Sequence, residues 1–270
     1  MDRIPIGKKR SIAVPRSWDD LTARQMETLA DISAHEMTAP VLRLVFALSL
    51  TGMRVKERLE DGSFSIRRGL RKVTLSSEEL CGLALTQSYI LEKDEDSKGK
   101  NRWLIVSRRV LDPYPHLKGW SSPGDALEHL SYEQFMYALF YEQQLKDDSS
   151  KLSFLLACLW HRGRKFDAQG IEKQARRIAR LPWQRRQAML WYWTGCKQFL
   201  KGRFPRVFRP SGSGPSRNIF EDQLRVVDAL SQGDMTRKPK VREGFLYDAL
   251  FSMDESLRRQ EEMEDRLRRP

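Results

Sequence analysis

Cysteine is scarce in this chain. Cys81, Cys158 and Cys196 leave one thiol over under any disulfide scheme and sit at no metal-ligand spacing, so reduced, buried thiols are expected. Long hydrophobic runs are missing too. The most apolar stretches, Val41–Leu50 and Ala188–Trp193, fall well short of the roughly 20 residues that span a bilayer. Lys8, Lys9 and Arg10 are followed by no apolar segment, which argues against a secretory leader and predicts a mobile basic arm over residues 1–16. There is no Gly-rich phosphate loop and no nucleophile motif. These absences predict a soluble cytoplasmic protein with no membrane association, no cofactor, no catalytic residues and no enzymatic activity.

What the chain does contain is one phrase written three times: Leu21-Thr22-x-x-Gln25-Met26, Leu75-Ser76-x-x-Glu79-Leu80 and Leu130-Ser131-x-x-Gln134-Phe135. Each reads as a capping box inside a hydrophobic staple. The hydroxyl accepts from the amide three residues on, the Gln or Glu reaches back to the cap's own N–H, and the flanking apolar pair closes over the first turn. With 40% apolar residues and 10% aromatics, the chain can bury a real core around these helices.

The helix begun at Thr22 is predicted to run to about His35. A second starts near Thr38, with Pro40 in its first turn and Gly52 as the left-handed residue that ends it. Phe64 and Ile66, then Val73 and Leu75, alternate across Arg68-Gly69 and predict a short basic hairpin. The third capped helix is expected over about Ser77–Leu91. Asp94–Lys100 reads as a charged linker, Arg102–Val106 as one strand, and the prolines of Asp112–Pro115 as part of a rigid irregular connection.

A second capped helix from Ser131 to about Leu145 and an apolar helix Leu152–Trp160 then echo the first pair, closing near Gly163 as the first closes at Gly52. A further helix is expected from Pro182 to Gly202. Ser-Gly-Ser-Gly-Pro within Arg209–Asn218 reads as a flexible linker. Helices at Ile219–Leu230 and from Val241 onward follow. The predicted fold is mainly α, with two related three-helix units, a small β-hairpin and a C-terminal helical extension. The segments are a flexible basic arm (1–16), helical unit 1 with the hairpin (17–93), a linker with one strand (94–124), basic helical unit 2 (125–209), a flexible linker (210–218) and the extension (219–270).

The net charge is +12, and its placement says more than its size. Between Arg162 and Arg209 stand 14 Lys and Arg against Asp167 and Glu172, so this stretch alone carries the whole excess. Arg162, Arg164, Lys165, Arg176, Arg177, Arg180, Arg185, Arg186, Lys197, Lys201 and Arg203 form the candidate face for an anionic partner. Trp183, with Phe204 and Phe208, is placed to stack on bases. Cations spaced to meet phosphates, with rings beside them, suit a nucleic-acid backbone, and equally the acidic surface of a protein. Trp191, Tyr192 and Trp193 lie in a run apolar on all sides and are expected in the core.

Cys158-x-x-His161 has the spacing of half a metal site, but no second pair stands near it, so no metal is expected. Asp19-Asp20 and Glu78-Glu79 sit at helix starts, where acids favour the dipole without any catalytic role. Met263 and Leu267 keep an apolar stripe through the charged end Arg258–Arg269. This end either frays in solvent or docks on a partner, including a second copy of the chain.

Trp18-Asp19-Asp20-Leu21-Thr22-Ala23-Arg24-Gln25-Met26 resembles the opening of proteins from phage and prophage tail-assembly regions. Gly244-Phe245-Leu246-Tyr247-Asp248-Ala249-Leu250-Phe251-Ser252-Met253-Asp254 is similar to how some of them finish. The resemblance implies a non-enzymatic assembly or structural protein that binds other virion or tail components, made in the host cell and incorporated in a virion. A sequence-nonspecific nucleic-acid-binding protein using the basic aromatic face of 162–209 is the alternative.

Overall fold

The structure is a computed structural model that describes residues 2–6, 10–95, 101–163, 165–209 and 219–268. It is mainly α-helical and divides into two compact units. One comprises residues 1–109 with 183–194, the other residues 110–182 with 195–270.

In the first unit, β1 (Asp2–Ile6) pairs antiparallel with β2 (Arg10–Val14), so a hairpin stands where a mobile arm was expected. Val14 anchors it, being fully buried in the core. α1 (Ala23–Ser33) and α2 (Ala39–Thr51) follow. Thr22 caps α1 through the full capping box with Gln25, and the staple residues Leu21 and Met26 are both buried. Gly52 ends α2 at φ +66°, the left-handed conformation expected of it.

The predicted hairpin exists as β4 (Phe64–Arg68) and β5 (Arg71–Leu75), and it gains a third strand, β3 (Met53–Arg58), on the other edge of β4. One face of this sheet carries Met53, Ile66 and Leu75 into a core shared with Ala47, Leu48, Leu80 and Leu83. α3 (Ser77–Leu85) opens with the second capping box and stops six residues before the expected end. The chain then makes a 3-10 turn and enters β6 (Leu91–Glu95), which pairs with β7 (Asn101–Ile105). The strand expected at Arg102–Val106 is therefore present, with its partner in residues read as helix end and linker. Cys81, expected to be buried, is exposed on α3.

Residues 183–194 complete this unit. Trp191 meets Trp18 edge to face, with ring centroids 5.5 Å apart. Buried Arg109 donates from one terminal nitrogen to the carbonyls of Trp18 (2.9 Å), Asp19 (3.1 Å) and Leu21 (2.6 Å). A charged donor thus satisfies three backbone acceptors in the turn that precedes α1.

In the second unit, α4 (Tyr132–Gln144) opens with the third capping box and packs on α5 (Lys151–Leu159). α6 (Ile171–Ile178) packs on α5 in turn. α7 (Trp183–Arg203) gives its first part, to Thr194, to the first unit and the rest to the second. α8 (Ile219–Leu230), α9 (Lys238–Glu243) and α10 (Leu246–Arg268) complete it. The expected flexible linker, 210–218, lies outside the described residues.

The expected C-terminal extension is instead part of this core. Ser131 and Phe245 form a β-bridge, with Tyr132 N–H donating to Gly244 O and Leu246 N–H to Leu130 O, both at 2.9 Å. Val227, Leu246, Ala249 and Leu250 are buried, and the Tyr132 hydroxyl donates to Gln223 Oε1. Residues 110–124, expected as linker, also belong here. Asp112 is buried, accepts from Tyr114 N–H at 2.7 Å and from the Ser122 hydroxyl, and so fixes the proline-rich turn. The two units share the order capped helix, apolar helix, then diverge: the first continues into a sheet and α3, the second into α6 and α7.

Candidate functional site

The basic stretch does not form one face. Trp183, Arg185 and Arg186 fall in the first unit; Arg162, Lys165, Arg176, Arg177, Arg180, Lys197, Lys201 and Arg203 fall in the second. The physical reason is α7, whose early apolar residues Ala188, Met189 and Trp191–Trp193 are buried within the first unit's share of the helix. Arg164 lies outside the described residues.

Several of these cations are already matched. Arg185 Nε lies 2.8 Å from Glu27 Oε1, Arg176 2.6 Å from Glu172, and Lys165 3.2 Å from Glu243. Lys197 pairs with Glu142, both half-buried. Beyond the predicted set, Arg206 bridges Asp254 and Glu261, and Arg209 adds to Glu261. Hydrogen bonding from Arg206 holds the Glu261 carboxyl below its ordinary range. The Arg162 guanidinium stacks over the Trp120 ring at 5.2 Å. Arg180, Lys201 and Arg203 are exposed, and no carboxylate pairs with them among the described residues. Trp183 is exposed and open to stacking, whereas Phe204, expected to help, is buried.

A second arrangement lies wholly within the second unit, where a polar cavity of about 370 Å³ opens between the start of α4 and the end of α5. Its floor is His161, only 8% exposed. The strand-like residues after α5 are laced to Ser121, whose N–H donates to His161 O at 2.7 Å and whose hydroxyl donates to Gly163 O at 2.9 Å. Glu133, Lys165, Phe166 and Glu243 stand on the walls with His129, Ser122 and Ser131. Burial raises the Glu133 carboxyl above its ordinary range, opposed by Arg242 and reinforced by Glu243. Burial also lowers the His161 imidazole, so the ring is held neutral.

Gln134 defines the ring's tautomer. Its Oε1 accepts from Ser131 N–H at 3.1 Å, and its Nε2 donates to Cys158 O at 2.7 Å. Both partners are backbone groups of known polarity, so the amide cannot be reversed. Its Nε2 then lies 3.5 Å from His161 Nδ1. A proton on Nδ1 would set N–H against N–H, so the ring proton sits on Nε2. That Nε2 is buried and has no hydrogen-bond partner among the described residues.

Sequence reasoning had Gln134 only as a cap and His161 only as half of an incomplete metal pair. Cys158 is no ligand: it is fully buried, its thiol donates to Phe154 O, and burial pushes its pKa far up. Among the described residues no group of three His, Cys, Asp or Glu is placed to hold a metal ion. Ser121, Glu133 and Glu243 carried no signal in the sequence, because they converge only through the β-bridges that join distant segments. No helix among the described residues is long and apolar enough to cross a membrane. Comparison with protein-family models, with curated proteins and with solved structures finds no match for this chain.

Proposed function

We propose that this chain is a non-enzymatic assembly or structural protein of a phage-like particle, acting by binding other virion or tail proteins. The observation that carries the reading is the far end of α10. Residues 262–268 are exposed along their whole length, and Met263 and Leu267, four apart, share one stripe. An apolar stripe on a solvated helix is what a helix presents before a second helix or groove covers it. The neutralisation of Lys165, Arg185, Lys197 and Arg206 by the chain's own carboxylates supports a protein partner over a phosphate backbone, since each cation already matched offers less to a polyanion.

Co-expression with the products of the neighbouring genes tests the reading. One of them should co-purify with the full chain and be lost with the double variant Met263→Glu, Leu267→Glu. Co-purification undiminished by that variant would refute the role of α10.

A second reading, sequence-nonspecific nucleic-acid binding, draws on the exposed, unmatched Arg180, Lys201 and Arg203. It predicts retardation of random duplex and single strands that weakens steeply as salt rises. No retardation at low salt removes it.

A further inference from the structure

The cavity over His161 is independent of α10, and its chemistry is specific enough to say what it takes. His161 Nε2–H is a donor with nothing to donate to, at the floor of a polar space of about 370 Å³. A single ordered water has a share of liquid volume of about 30 Å³, so one water satisfies the donor and leaves most of the space unused. The remaining wall groups are mostly acceptors. Ser121 and Ser122 have spent their hydroxyl protons on Gly163 O and Asp112, and Ser131 has spent its own on Gln134 Oε1. Glu133 and Glu243 present carboxylates, and the one cation, Lys165, is already matched to Glu243.

An anion would meet two carboxylates. A metal ion would meet an N–H proton at the floor. An apolar molecule would leave the His161 donor and both carboxylates unsatisfied. What fits is an uncharged molecule that brings one acceptor for the floor and several donors for the walls. Hydroxyl groups do both, and a carboxylate can accept from two neighbouring hydroxyls at once. Phe166, whose ring stands edge-on to His161 at 6.0 Å, adds an apolar patch for a C–H face.

We infer that this cavity binds a neutral, hydroxyl-rich small molecule, a saccharide unit, with one oxygen seated on His161 Nε2–H and hydroxyls donated to Glu133 and Glu243.

The test is ligand-observed saturation-transfer NMR on the full chain, with N-acetylglucosamine, glucose, diglycine, acetate and inorganic phosphate as probes. Histidine ring ¹⁵N spectra are recorded in parallel. A saccharide should show transfer and shift the His161 Nε2 signal, while acetate and phosphate should do neither. Glu133→Gln, a polar exchange at a partly exposed site, should weaken saccharide binding at least about tenfold with the near-ultraviolet circular dichroism unchanged. His161→Leu should abolish it, and Glu133→Gln still decides the matter if that buried substitution unfolds the unit.

Four outcomes would overturn the proposal. They are binding of diglycine or the anions in preference to both sugars, saccharide binding undiminished by Glu133→Gln, a ring proton found on Nδ1, and no probe moving the His161 signal.

Discussion

Gln134 Nε2 donates to the carbonyl oxygen of Cys158 across 2.7 Å, so the residue that closes the capping box of α4 also ties that helix to the end of α5. Its counterpart in α1, Gln25, makes the capping box at a more open position. The same substitution should therefore differ in cost. Gln25→Ala removes a cap partner and should lower stability by about 0.5–1 kcal/mol. Gln134→Ala also strands the buried Cys158 carbonyl and should cost about 2–3 kcal/mol. Urea unfolding of the two variants side by side checks the ordering, and equal costs would remove the bridging role.

Removal of residues 219–270 strips Val227, Leu246 and Leu250 from the core and breaks the Ser131–Phe245 bridge. The truncated chain should keep helical far-ultraviolet dichroism but lose the near-ultraviolet signal of the second unit and bind a hydrophobic dye. A cooperative, dye-silent fragment would mean that this segment is a separable extension after all.

His161 sets an acid limit. Burial lowers its pKa below the ordinary 6.5, so the unfolded chain takes up a proton more readily than the folded one. The stability that this ring contributes is complete above pH 6.5 and is lost as pH falls from there through the folded value. His161→Gln should flatten the decline in melting temperature over that window. A slope unchanged by the substitution would place the acid sensitivity elsewhere.

Two glycines should respond differently to alanine. Gly52 has φ +66° and open space where a Cβ would stand, so Gly52→Ala costs only the left-handed strain, about 1 kcal/mol. Gly124 has φ +76°, and a Cβ there would lie 2.7 Å from His129 Nδ1 and from Glu128 Cγ. Gly124→Ala should cost more and should shift the His129 ring signals at the edge of the cavity. Thermal unfolding of both variants decides.

The three capping boxes were legible because they are written over six consecutive residues and act through bonds between neighbours. Gly52, the β4–β5 turn and the strand at Asn101–Ile105 were legible for the same reason. What failed was long-range. The pairing of β1 with β2 competes with a basic composition that reads as an arm. The docking of Phe245 against Ser131 spans the whole second half of the chain. The basic face failed because charge can be counted in a sequence while neutralisation cannot: Arg185 finds its carboxylate at Glu27, and Lys197 at Glu142. The cavity was invisible for a related reason, since Ser121, Gln134, His161 and Glu243 come from four separate segments.

Trp18 rests its ring against Trp191. During synthesis the amino-terminal half of that contact leaves the ribosome long before the other half has been translated. The earlier module must therefore wait, incompletely packed, while most of the intervening polypeptide is made. Such a delay exposes tryptophan surface on the nascent chain and makes the order of completion the reverse of the order of birth.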